Sequence, residues 1–245
     1  MNAANTRPTF LLVHGGHHGP WSWEKLRIVL TAEGWTSETV SLPSAVRDEH
    51  LTEPLPGMYD DAGAVREALD HIAGPVVVVA HSYAGIPVTQ ASAGSSNVAH
   101  LVYVASYLPE VGEGMLQIHG VPVPESLAGV RPPENPDFNQ PASFYDGDGT
   151  NPETAAAISR LVPQTVRADF ETVTRAGWPT IPNSYIIPDQ DVSVVATVEE
   201  QMAARADVVY HCEGHHAPFY SHPKEFAALL ARIADSILVK GDSHE

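Results

Sequence analysis

The sharpest chemical feature of this sequence is a serine that follows a run of four valines. Val76–Gly85 reads VVVVAHSYAG, with Ser82 set among Ala80, Ala84 and Gly85. Consecutive β-branched residues favour a buried strand. Small side chains two positions either side of a serine let the strand turn sharply into a helix, so that the hydroxyl is pushed out to attack a carbonyl. The N-terminus of that helix would favour a developing oxyanion. The segment departs from G-x-S-x-G, because alanine stands at both glycine positions. A serine capping an ordinary helix is the plainer reading of those residues alone. A second feature is Val13-His14-Gly15-Gly16, directly after the apolar run Thr9–Val13. Paired glycines there would let a backbone N–H face a reacting carbonyl, with the N–H of Tyr83, next after the serine, as its companion. An ordinary glycine turn is the alternative.

A serine of ordinary pKa needs a general base, and the base needs a carboxylate to orient it. Pro188-Asp189-Gln190-Asp191 follows one strand-like run and Cys212-Glu213-Gly214-His215-His216 follows the next. Two acids and two imidazoles are therefore open as partners.

Such groups must be carried on a scaffold, and the hydropathy pattern predicts one. Strand-like runs at Thr9–Val13, Thr36–Leu42, Val76–Val79 and Leu101–Ala105 alternate with helical spacing after Trp23, over Met58–Ile72 and over Ala84–Ala93. That rhythm predicts a doubly wound α/β fold with a mainly parallel sheet and helices on both faces. It breaks at about Tyr107. From there to about Pro182 the chain holds eleven of its 21 prolines, with helical spacing expected only over Pro152–Ala176. This stretch reads as a small inserted cap, so residues 1–245 form a single domain with an insertion at about 107–182. Alternation resumes with strands at Ser184–Ile187 and Val208–Tyr210, helical spacing over Val194–Arg205, and a last amphipathic helix after Pro223.

Composition narrows the function. Thirteen basic against 30 acidic residues give a formal charge of −17, which excludes a binder of the nucleic-acid backbone and disfavours anionic membranes. One cysteine, Cys212, leaves no intramolecular disulfide and no multi-thiolate metal site. No run approaches a membrane span and the N-terminus lacks a signal-like apolar stretch, so a soluble cytoplasmic protein is expected. His211, His215, His216 and His222 cluster in sequence, yet two are adjacent and one is better used as a base; no metal is expected. His17 and His18 are expected to be structural or pocket-lining, and Trp21 and Trp23 to pack helix on sheet. Met115, Phe138, Phe144, Tyr145, Phe170 and Trp178 could line an apolar pocket. Asp146-Gly147-Asp148 reads as a solvated turn and not as a calcium loop.

The segments LLVHGGHHGPWSWEKL, VVVVAHSYAG, LVYVASYLP, NSYIIPDQD and EGHHAPFYSHP together resemble the α/β-hydrolases, in the branch of plant methylesterases, hydroxynitrile lyases and bacterial esterase-like relatives. The resemblance spans most of the chain outside the insertion, and the order Ser, Asp, His agrees with it. It places Ser82 on the nucleophile, Asp191 on the triad acid, His216 on the base, and Gly16 and Tyr83 on the two oxyanion N–H donors. It implies a serine esterase that acts on a small, fairly apolar carboxylic ester (methyl ester, aryl ester or lactone) and needs no cofactor. The lyases of the branch carry threonine where this chain has Gly15 and lysine where it has Ala217, and both departures favour an esterase. The alternatives are a lyase or other non-hydrolytic reaction on the same triad, or a small-molecule binding protein without turnover. Oligomeric state is not legible.

Overall fold

The computed structural model describes residues 7–46, 52–134, 140–194 and 196–241. In chain order the strands are β1 (Thr9–Val13), β2 (Ser37–Val40), β3 (Val76–His81), β4 (Val98–Val104), β5 (Val130–Arg131), β6 (Gln164–Thr165), β7 (Asn183–Pro188) and β8 (Val208–Cys212). The helices are α1 (Glu24–Ala32), α2 (Met58–His71), α3 (Gly85–Ser92), α4 (Met115–Ile118), α5 (Pro152–Ile158), α6 (Val166–Phe170), α7 (Ala196–Ala203), α8 (Pro218–Ser221) and α9 (Pro223–Gly241). Six strands form one sheet in the order β2-β1-β3-β4-β7-β8, and every pairing in it is parallel.

Alternation along β1 and β3 explains the two layers of helix. Leu11, Val13, Val76 and Val78 face a core shared with Met58, Ala62, Val65 and Leu69 of α2, Ile86 and Val88 of α3, and Met202 of α7. Phe10, Leu12, Val77 and Val79 face the opposite core, with Leu26 and Leu30 of α1 and Phe226, Leu230 and Ile233 of α9. A strand apolar on both sides has no solvent face, which is why these runs show no polar alternation. Trp23 is buried in the second core with its ring stacked on Phe219 at 3.8 Å.

Among the described residues between β4 and β7 none adds a strand to the main sheet; that stretch holds α4, the antiparallel pair β5–β6 with α5 between its strands, and α6. The helix expected over Pro152–Ala176 is not continuous. It stops after Ile158, and Gln164–Thr165 pair instead with Val130–Arg131 as antiparallel strands. Pro163 explains the break: it lacks the N–H a helix needs and drives Val162 out of the helical region. Gln164 and its neighbours also reach the loop after β2. Ala45 bridges Gln164, and the N–H of Val46 donates to the Pro163 carbonyl at 2.9 Å. Among the described residues no helix is long and apolar enough to cross a membrane.

Candidate active site

In the sheet order, β1 and β3 are neighbours while the chain reaches β2 between them, so the order reverses there and a crevice opens at the strands' carboxyl ends. The loops of chemical interest all lie at those ends. Gly16 follows β1, Ser82 follows β3, Tyr107 follows β4, Asp191 follows β7 and His216 follows β8. Gly16, Ser82, Tyr83, Tyr107 and His216 line one cavity of about 480 Å³, with Met115, Leu116, Phe144 and Val194 among its apolar walls.

Ser82 has φ +54°, in the left-handed region. For a residue with a Cβ this costs on the order of 1–3 kcal/mol and persists only where the surroundings over-determine it. Here the Ser82 carbonyl accepts from Ser106 Oγ at 2.7 Å and from the Tyr107 N–H at 3.3 Å, which pins the turn from the end of β4. Gly85 makes that closeness possible, since a Cβ there would lie 1.8 Å from the Tyr107 carbonyl oxygen. Gly85→Ala should therefore cost about 3 kcal/mol or more in urea unfolding, because backbone and not a pliable side chain stands in the way. A loss below about 1 kcal/mol would show that the elbow can relax. Gly15 is under similar constraint: its Cβ would sit 2.7 Å from His81 Nδ1 and 3.0 Å from Ser82 Cβ.

The two open choices of the sequence resolve geometrically. His216 Nδ1 lies 2.8 Å from Asp191 Oδ2, with the two side chains 5% and 0% exposed. Asp189 instead takes the exposed His211 at 2.9 Å. Burial works against a charge on Asp191, but the facing His216 and the N–H groups of Ser193 and Val194 outweigh it and hold the carboxyl below its usual range. Nδ1 is thus committed to Asp191, on an imidazole that lines the cavity. The carbonyl of His216 accepts from His81 Nε2 at 2.9 Å, so the residue before Ser82 also anchors the loop that carries His216. His211, His216 and His222 take separate partners, Asp189, Asp191 and Ser221.

His17 and His18 both line the cavity and are engaged by backbone, His17 Nδ1 to the Val162 carbonyl at 3.0 Å and His18 Nδ1 to the Gly16 carbonyl at 2.8 Å. Burial pushes each down to about 3, helped at His17 by the Arg131 guanidinium. Neutral rings at ordinary pH make them lining and scaffold, as expected. Of the apolar candidates, Met115 and Phe144 line the cavity. Tyr145, Phe170 and Trp178 pack elsewhere, and Phe138 lies outside the described residues.

Several residues of the site were not singled out in the sequence. Arg131 lines the cavity and pairs with the buried Asp169 through Nε at 2.8 Å and Nη2 at 3.1 Å, while Nη1 meets His17 Nε2 at 2.7 Å. Tyr107 and His119 share a 2.8 Å hydrogen bond at the cavity wall. Glu199 is buried behind the Asp191–His216 pair, and burial together with the Asp191 charge pushes its carboxyl from 4.5 up to about 7. A folded-state value above the unfolded one means that the stability tied to this proton is complete below about 4.5 and is lost as the pH rises through about 7. Glu199→Gln, which never ionises, should therefore raise Tm more at pH 8 than at pH 5. An equal Tm gap at both pH values would remove Glu199 from this role.

A profile of the alpha/beta hydrolase family matches residues 10–229. The chain belongs to the alpha/beta hydrolase family. The alpha/beta hydrolase nvfD of Aspergillus novofumigatus (strain IBT 16806) is 28% identical over 258 residues, covering 93% of this chain and 97% of the relative. Methylesterase 7 of Arabidopsis thaliana is 26% identical over 260 residues, with 94% and 98% covered. Among solved structures, a pyrethroid hydrolase from Sphingobium faniae JZ-2 superposes with a TM-score of 0.73 at 19% identity, covering 94% of this chain and 98% of that one. At that identity the likeness is one of fold.

Proposed function

We propose that this alpha/beta hydrolase cleaves small, fairly apolar carboxylic esters through an acyl-enzyme on Ser82. The observation that carries the reading is the buried His216–Asp191 pair at 2.8 Å, whose imidazole lines the same cavity as a serine held at φ +54°. In this scheme Ser82 Oγ attacks the ester carbonyl while His216 Nε2 takes its proton. Asp191 holds the Nδ1–H tautomer and stabilises the imidazolium. The carbonyl oxygen becomes an oxyanion bound by the N–H groups of Gly16 and Tyr83, each donor contributing about 3–4 kcal/mol to the barrier reduction where such donors have been removed. His216 then protonates the leaving alkoxide, and water, activated by the same imidazole, attacks the acyl carbonyl to release the acid and restore Ser82.

Substrate class follows from the walls. A cavity of about 480 Å³ lined by Met115, Leu116, Val121, Phe144 and Val194 suits an apolar acyl or alcohol group. Among the described lining residues there is no carboxylate, despite a chain charge of −17. That favours neutral esters over cationic ones. The stretch between β4 and β7 supplies Met115, Leu116, Arg131 and Phe144 to the wall and so acts as the cap.

Methylesterase 7 and the other methylesterases among the relatives support ester hydrolysis over a lyase reaction. So does the space at Gly15, where a threonine Cβ would crowd His81 and Ser82, and the buried Ala217 after the base, which offers no cation for a departing anion. The test is turnover of aryl methyl esters, short-acyl nitrophenyl esters and lactones by the purified protein, beside labelling of Ser82 by a fluorophosphonate. Turnover with labelling is the expected result. Stoichiometric binding of these compounds, with neither product nor label, would replace the enzyme with a binding protein.

A further inference from the structure

The two oxyanion donors come from segments distant in sequence, Gly16 after β1 and Tyr83 after β3, and a hole of this kind works only when its spacing is held within about 0.5 Å. An unbroken line of buried hydrogen bonds connects them. The N–H of His17, adjacent to Gly16, donates to Gln164 Oε1 at 3.2 Å. Gln164 Nε2 donates to Ser44 Oγ at 2.8 Å. Ser44 Oγ donates to Asp61 Oδ2, and the Ser44 N–H to Asp61 Oδ1 at 2.9 Å. Tyr83 closes the line by donating its phenol to Asp61 Oδ2 at 2.6 Å. His17, Gln164, Ser44, Asp61 and Tyr83 are all buried.

With Asp61 ionised, the direction of every bond is forced. A backbone N–H can meet only the oxygen of the Gln164 amide, so the NH₂ must face Ser44. The Ser44 hydroxyl has a single hydrogen, and it goes to Asp61. A line with one permitted arrangement of hydrogens resists distortion at both ends. It is also an expensive way to fill a core. Asp61 is wholly buried with hydroxyl and amide partners, and burial pushes its carboxyl up to about 7 against the pull of those donors. Apolar residues of similar volume would fill the same space without that cost. Polar groups kept at such expense beside a reacting centre point to positioning and not to packing.

We propose that Gln164, Ser44 and Asp61 form a buried strut that fixes the spacing of the Gly16 and Tyr83 N–H groups, and so are positioning residues for the oxyanion. The inference rests on the hydrolytic reading given above. It also gives the inserted segment a second task, because β6 carries Gln164 into the line while the Thr165 N–H donates to the Ser44 carbonyl at 3.0 Å.

The test compares Asp61→Asn, Gln164→Leu and the milder Tyr83→Phe with wild type. Asparagine in place of Asp61 cannot accept from the Ser44 N–H and from both hydroxyls at once, because only one of its two polar atoms is an acceptor, and leucine in place of Gln164 offers neither end of the amide. The expected result is a kcat lowered 10- to 100-fold with KM within threefold, and a trifluoromethyl ketone, which forms a tetrahedral adduct on Ser82, weakened by the same factor. A lining role alone would move KM, and a purely structural role would move Tm while kcat per folded molecule and ketone affinity stayed put; either outcome overturns the strut. A readout that needs no ester is the amide ¹H–¹⁵N resonances of Gly16 and Tyr83, which should both shift in Gln164→Leu and in Asp61→Asn. If they remain in place in folded protein, the proposal fails. If wild type neither turns over nor labels, ester hydrolysis is what falls, and the two amide signals still decide the strut.

Discussion

Ser82→Ala is expected to lower kcat/KM by roughly 10⁴- to 10⁶-fold while leaving the fold intact. The loss is large because the oxygen that forms the acyl bond is gone, and the residual rate over water comes only from the oxyanion donors and binding. Stability should barely move. The strained φ of +54° is held by the Ser106 and Tyr107 contacts to the Ser82 carbonyl, which alanine retains. Steady-state kinetics on the best ester of the panel, beside the unfolding midpoint, is the measurement. Residual turnover above about one per cent would remove Ser82 as nucleophile.

Asp191→Asn should cost about 10⁴-fold in kcat, for a reason readable in the contacts. Oδ1 of Asp191 accepts the Ser193 N–H at 2.7 Å. In the variant that position must keep the amide oxygen, since an NH₂ cannot face an N–H. The NH₂ is thereby turned to His216 Nδ1, which must then become an acceptor, and the imidazole's proton moves to Nε2, where it can no longer take the serine proton. Asp189→Asn is the control, and because Asp189 pairs with an exposed His211 it should change kcat less than twofold. Equal losses in the two variants, or a loss under tenfold at Asp191, would show that the carboxylate does not orient the base.

How much of this was legible in the sequence differs by element. The buried strands were, because a parallel strand covered on both faces must be apolar throughout, and VVVVAH admits little else. The loops at their ends were legible too, since small residues around Ser82 and the pair Gly15-Gly16 carry their steric reason in their type. The chain from Tyr107 to Pro182 was not. Its short elements are held by contacts with distant segments, such as Thr165 on Ser44 and Arg131 on His17, and local periodicity says nothing about those. Pro163 was the one local signal that the expected helix must break.

Asp61 left a trace that could have been read. It lies within the apolar stripe of α2, between Met58 and Val65, where a carboxylate is out of place. Glu199 and Gln164 left none, since a polar residue in a helix or a proline-rich segment looks solvated until its neighbours are known.

By itself the sequence determined the doubly wound scaffold and the types and order of the candidate reacting groups, because strand burial and turn sterics are local properties of residue type. Only the tertiary structure decided which acid and which imidazole meet, with Asp191 on His216 and Asp189 on His211. It alone placed Arg131 and Gln164, from the chain between β4 and β7, beside the loop that follows β1. Hydrogen bonds act over about 3 Å between atoms whose separation along the chain carries no information about their separation in space.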